Sequence, residues 1–273
     1  MSSSTDSYRL VVFQAPDQRD QVRSAIAKIL GIHTLDAQRL VAHMPGILPG
    51  LYNAQTCRQL LEVLFQNQIP AEARLLDQFP DLNRPKQIYD MVLTAGGLNF
   101  LDQVHKQTAH FLPWDQVGMI ATARVEVPNV VTEYTPPGIT RSVVYGVRRM
   151  MGGGALNRKE RVVHSPVSPK GEAIIWRKRP HAAFRLSEDK LRYDILGDHL
   201  AETASENFPK LIRWLSGGAG DAFLSKGTEA LISKTPEDIP VFPDLESFTE
   251  NATMELLRSW YRKDRDAAAE TEV

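Results

Sequence analysis

At 273 residues the chain is long enough for one or two ordinary domains, and its 42% apolar and 24% charged residues are the balance of a soluble globular protein. A net charge of −1 excludes global steering toward nucleic acid or an acidic surface. No apolar run reaches the ~18 residues of a transmembrane helix, and the single cysteine, Cys57, excludes an internal disulfide.

A short apolar run, Leu10, Val11, Val12 and Phe13, predicts a first strand. Val22, Ile26, Ile29 and Leu30 then fall on one stripe of a 3.6-residue period, and Gly31 is placed to stop that helix. Thr34 is a candidate N-cap for a second helix with the stripe Ala37, Leu40, Val41 and Met44, ended by Pro45 and Gly46. Asn53 opens a third helix, with Leu60, Leu61, Leu64 and Phe65 expected on the buried side. Residues 69–75 would close the unit as a strand, so residues 8–75 read β-α-α-α-β.

Gly31, Ala37, Leu40, Val41, Pro45 and Leu48, in that register, resemble the C-terminal domain of the bacterial ribosomal stalk protein, which shares its fold with the ClpS adaptor of the Clp protease. The resemblance implies a small protein-binding fold. Aligned this way, the basic positions by which the stalk domain touches translation factors fall on Ser24, Ala27 and Gln38. The position of the ClpS Asn-Asp pair falls on Gln14, Ala15, Pro16 and Asp17. The implied fold therefore comes without either set of ligand contacts.

Residues 76–86, rich in proline, aspartate and asparagine, read as a linker. Beyond it the period changes from 3.6 to 2. Residues 88–93 and 98–101 around Gly96 and Gly97 predict a hairpin, and residues 110–127 a long strand region interrupted at Pro113. Val143, Tyr145 and Val147 alternate with Val144, Gly146 and Arg148, and residues 172–177, 182–186 and 191–195 give three more candidate strands. Thr203 and Glu206 stand in capping-box spacing before a helix whose stripe is Phe208, Leu211, Ile212 and Leu215. This layout, and the segment Pro113, Trp114, Asp115, Gln116, Val117, resembles bacterial pleckstrin-homology-like domains. That resemblance covers residues 87–217 and implies an antiparallel β-barrel with a closing helix. The fold class expected is α+β: the small first domain, the linker, the barrel, and a helical, partly disordered tail over residues 218–273.

The strongest charge asymmetry lies between Arg141 and Arg192. Arg148, Arg149, Arg158, Lys159, Arg177, Lys178 and Arg179 are the candidate ligand-binding residues, with Arg148 and Arg149 beside Gly152, Gly153 and Gly154. Such a face is either an anion site, for a phospholipid headgroup, nucleic acid or an acidic protein, or a solvated surface balanced by the acidic C-terminal segment. Trp114, Trp176 and Trp214 are either stacking platforms or packing residues. Leu256, Leu257 and Trp260 form an apolar stripe on a tail helix that docks either on the barrel or on a protein partner.

The seven histidines show no metal-ligand spacing, and no serine sits in a G-x-S-x-G turn. No catalytic residue, metal or cofactor is expected. The function expected is a non-enzymatic adaptor with two binding modules and a protein partner. The alternative is an anionic-ligand binder working through the basic face. A start without a basic and apolar leader, together with the single cysteine, points to the cytoplasm.

Overall fold

A computed structural model describes residues 6–102, 104–126, 130–133, 161–164 and 168–271. Strand β1 (Tyr8–Val12) lies between β2 (Gly46–Ile47) and β3 (Ala71–Leu75), antiparallel to both. Helices α1 (Arg19–Leu30), α2 (Thr34–Ala42) and α3 (Ala54–Gln66) cover one face of this sheet. Leu10 and Val12 meet Val22, Ile26, Val41, Leu60 and Leu64 there. Val11, pointing the other way by the two-residue alternation of a strand, meets Phe79 and Leu257. All three residues are fully buried, which explains why the strand reads as a continuous apolar run and not as alternation.

The local signals act much as the residues require. Gly31 ends α1 in the left-handed conformation at φ 63°. The Asn53 side chain accepts from the Thr56 amide at 2.8 Å. The cap of α2 is His33, whose ring nitrogen accepts from the Leu35 amide at 3.2 Å, so Thr34 is the first helical residue and not the cap. Phe65 is corrected more strongly. It is 82% exposed, because α3 turns only Cys57, Leu60 and Leu64 fully onto the sheet.

Two further sheets follow. In the larger one, β8 (Val117–Glu126), β11 (Pro169–Arg177) and β12 (Ala182–Ser187) are antiparallel. The smaller is the antiparallel set β5 (Met91–Thr94), β6 (Gly97–Leu101) and β7 (Thr108–Pro113). A separate antiparallel pair joins β9 (Val130–Glu133) and β10 (Arg161–His164). None of the described sheets closes into a barrel. The outer edge of β12 is taken by β4 (Lys86–Ile88), and that of β8 by β13 (Phe223–Leu224) and β14 (Val241–Phe242), all three pairing parallel. The small sheet therefore packs on a face of the large one and does not continue it.

The core between them holds Leu98, Phe100 and Leu112 against Ile120, Ile175, Phe184 and Leu186. Helix α4 (Ala204–Gly218) adds Phe208, Leu211, Ile212 and Leu215 to this core. Its cap is Thr203, which accepts from the Glu206 amide at 3.3 Å and donates to the Glu206 carboxylate at 3.0 Å. Helix α5 (Lys226–Ser233) starts hard against β8. A Cβ on Gly227 would stand 1.9 Å from the Thr122 carbonyl oxygen, so no other residue fits. Residues 191–195 are not a strand. A turn at Glu188 sends the chain back, Leu191 donates to the Ser187 carbonyl, and a 3-10 helix runs over Asp194–His199. Leu191, Tyr193 and Leu196 are buried all the same, so the apolar spacing records burial and not strand geometry.

The opposite face of the large sheet, with Met119, Ala121, Ile174 and Trp176, is covered by α6 (Leu245–Thr271). Phe248, Ala252 and Leu256, four residues apart, form its contact stripe. This helix occupies the second half of the segment read as a helical, partly disordered tail. The segment read as a linker is also anchored: Phe79 and Leu82 are buried, and the His181 ring lies 2.8 Å from the Asp77 carbonyl oxygen.

Candidate functional site

A recess lies beside the small sheet. Antiparallel pairing of β5 with β6, with the Leu101 amide donating to Asp90, places the ladder bonds at residues 90, 92 and 94. The amides and carbonyls of Met91 and Leu93 therefore point outward, and no backbone partner meets them there among the described residues. In front of this edge is a groove of about 710 Å³ lined by Asp90, Val92, Leu93, Asp194, Ile195 and Trp214. A second recess of about 440 Å³, with His199, Leu200, Lys210 and Arg213, shares the Trp214 wall.

Trp214 sits on α4 one residue before Leu215, on the flank of the buried stripe, and is 40% exposed. The His199 ring meets it edge-on at 5.5 Å. Its neighbours are fixed by structure. Arg213 donates to the carbonyls of Leu231 and Ile232 at the end of α5, and Lys210 donates to the His199 carbonyl. Asp90 pairs with Lys106 at 2.6 Å and Arg192 at 3.8 Å. The result is a rigid trough with an indole wall, apolar side chains and an unpaired strand edge, suited to an extended chain.

The candidate residues read from sequence fall elsewhere. Arg148, Arg149, Arg158 and Lys159 lie outside the described residues, as do Val143, Tyr145 and Val147. Arg177 ends β11, and Lys178 and Arg179 stand in the turn after it; Arg177 donates to the Pro180 carbonyl and Lys178 to that of Asp115. Leu256 and Leu257 have no exposed surface, and Trp260 packs with both against the sheets, so this stripe is filled within the chain and is not a surface for a partner. Trp176 is 3% exposed and stacked on His181, a core residue.

Lys86 and His110 were absent from the sequence-based candidates. The Lys86 ammonium is in hydrogen-bond contact with His110 Nε2, although 24 residues separate them in the chain. Burial first, then the positive charges of Lys86 and Arg177, hold the His110 imidazole below its ordinary value of 6.5. Glu172, 1% exposed, receives two hydrogen bonds from Arg185, at 2.6 and 2.8 Å, and one from Ser187 at 2.9 Å. That closed set leaves no room for a ligand. Burial pushes the Cys57 thiol up, which keeps it protonated. Among the described residues, no three His, Cys, Asp or Glu side chains are placed to hold a metal, and no helix is long and apolar enough to cross a membrane.

No protein-family model matches this chain, and no curated protein or solved structure matches it either.

Proposed function

We propose that this chain is a non-enzymatic, cytoplasmic adaptor that takes an extended segment of a partner protein along the outer edge of β5. The observation that carries this reading is the coincidence of an unpaired strand edge at Met91 and Leu93 with a groove walled by the half-exposed Trp214. A strand added at such an edge satisfies its main chain by ladder bonds, while one of its side chains meets the indole. Two modules enter the proposal. The first is a domain of the ribosomal-stalk and ClpS kind, supported by its β-α-α-α-β order. The second is a pleckstrin-homology-like unit, supported by antiparallel strands followed by the packed helix α4.

Peptide libraries panned on the full chain test this. The expected ligands are extended segments with an apolar or aromatic anchor that slow hydrogen exchange at the Met91 and Leu93 amides. Trp214→Ala should weaken them about tenfold or more, as removal of a central aromatic anchor does. Leu93→Pro should do the same, because it deletes an outward donor and leaves the β5–β6 ladder intact. Ligands that bind both variants unchanged, or that leave these amides unprotected, overturn the proposal.

A further inference from the structure

Two cationic side chains and a histidine, from three strands, meet on one side of Phe184, away from the groove. Lys86 on β4 is the register partner of Phe184 on β12, and Arg177 at the end of β11 pairs with Ala182 on the same strand. Register partners share a sheet face, so both flank Phe184 on the side turned to the small sheet. His110 reaches the same place from β7, its ring 6.1 Å from that of Phe184, and the Arg177 guanidinium stands 5.9 Å from the Phe184 centroid. Beneath lies a packed aromatic pair, Phe100 and Phe184, at 4.6 Å.

This arrangement is short of negative charge. None of the ion pairs among the described residues involves Lys86, His110 or Arg177. Arg177 uses its Nε for the Pro180 carbonyl, and its two terminal nitrogens make no bond among the described residues. Lys86 is exposed and is in hydrogen-bond contact with one neighbour, the imidazole. An ammonium touching an imidazole beside a guanidinium is a repulsive grouping unless the imidazole is neutral, and burial first, then these two positive charges, favour the neutral form of His110.

We propose that Lys86, His110 and Arg177 bind the phosphate group of a small phosphomonoester. The free terminal nitrogens of Arg177 match two oxygens of a tetrahedral oxyanion, and Lys86 supplies a point charge to the third. The dianion balances the two permanent cations and converts His110 from an acceptor for Lys86 into a protonated third donor. A planar monoanionic carboxylate would leave one of these donors unused. The site is independent of the β5 groove, so either proposal stands or falls without the other.

The test is a titration of the histidine imidazoles of the full chain by nuclear magnetic resonance, with inorganic phosphate added at constant ionic strength and His110→Gln used for assignment. The groups facing His110 are Lys86 and Arg177, with no carboxylate among the described residues, so the expected response is specific. The His110 midpoint should move to higher pH and saturate, while the other six histidines stay in place. Lys86→Ala and Arg177→Ala should each weaken phosphate by about tenfold or more, Lys86→Arg should retain most binding, and melting temperatures without phosphate should be nearly unchanged. Glycerol 3-phosphate should reproduce the response.

A His110 midpoint unmoved by millimolar phosphate overturns the proposal. So does a response that survives in the Lys86→Ala, Arg177→Ala double variant. Retention on phosphatidylcholine vesicles containing phosphatidic acid, with no response to glycerol 3-phosphate, also overturns it, because the same phosphomonoester would then be read only at a lipid surface.

Discussion

The guanidinium of Arg74 lies over the indole of Trp260, 4.9 Å from the ring centroid, and donates to Asp264 at 2.9 Å. Arg74 belongs to the N-terminal sheet and Trp260 to the C-terminal helix, so this contact ties the two ends of the chain together. The same indole meets Trp176 of the large sheet at 5.8 Å, and one residue on, Tyr261 packs against Phe13 at 4.6 Å. Helix α6 is thus a shared wall, with Leu256 on the large sheet and Leu257 on Val11 and Phe79.

Trp260→Ala should therefore cost more than its own packing. Removing an indole that joins two clusters is expected to destabilise by about 3 kcal/mol. It should also split one cooperative unfolding transition into two, because the N-terminal sheet then loses the side chain that packs on Arg74 and on Trp176 of the large sheet together. Calorimetry, with near-ultraviolet and far-ultraviolet circular dichroism as separate probes, checks this. Two transitions already present in the parent chain would contradict it.

Residues 77–85 should resist limited proteolysis. Phe79 and Leu82 are buried there, and the Arg9 guanidinium stands 5.1 Å from the Phe79 ring. Cleavage should begin there only after Phe79→Ala, which removes a buried aromatic at a cost of about 3 kcal/mol. Mass spectrometry of the first fragments decides; a stable 1–80 fragment from the parent chain would restore a contact-poor linker.

Glu172 and Arg185 should behave as a pair. Arg185→Met leaves a carboxylate that is 1% exposed with Ser187 as its remaining strong donor, so a loss of about 3–5 kcal/mol is expected. The double variant Glu172→Met, Arg185→Met should recover much of that loss, since apolar groups of similar volume need no partner. Denaturant titration of the two single variants and the double variant gives the coupling energy directly.

His110 makes stability depend on pH in a stated direction. Its folded titration lies below the ordinary 6.5, so the unfolded chain binds more protons in the window between the two values. Stability from this group is full above about 6.5 and declines as pH falls toward the folded value. Lys86→Met should raise the folded value and shrink that decline, and His110→Phe should remove it. Melting temperature against pH for the three proteins is the measurement, and an unaltered slope in both variants would contradict it.

What was legible in the sequence was local. Helix ends at Gly31, Asn53 and Thr203 depend on residues within four positions, and each acts as a stop or cap in the fold. The stripes of α1 and α4 were visible for the same reason. The run of Leu10, Val11 and Val12 even recorded that both faces of β1 are covered, although not by what. Where a local signal had two outcomes, it misled. Apolar spacing at Leu191, Tyr193 and Leu196 records burial alone, and a turn satisfies it as well as a strand does. Phe65 extends the α3 stripe by one step and is exposed, outside the face that Cys57, Leu60 and Leu64 bury.

The sequence by itself determined the main helices, their caps and most of their apolar stripes, because those properties follow from contacts a few residues long. Only the tertiary structure decided what each face meets. Arg74 and Asp264 are 190 residues apart, Lys86 and His110 24, and no short-range pattern links either pair. The same holds for the Leu256 and Trp260 stripe, which α6 spends within the chain, and for Trp214, left half-exposed beside a strand edge that nothing described pairs with. Such pairings are fixed by how the sheets pack and by which edges the short parallel strands occupy. That is a property of the whole chain and not of any segment.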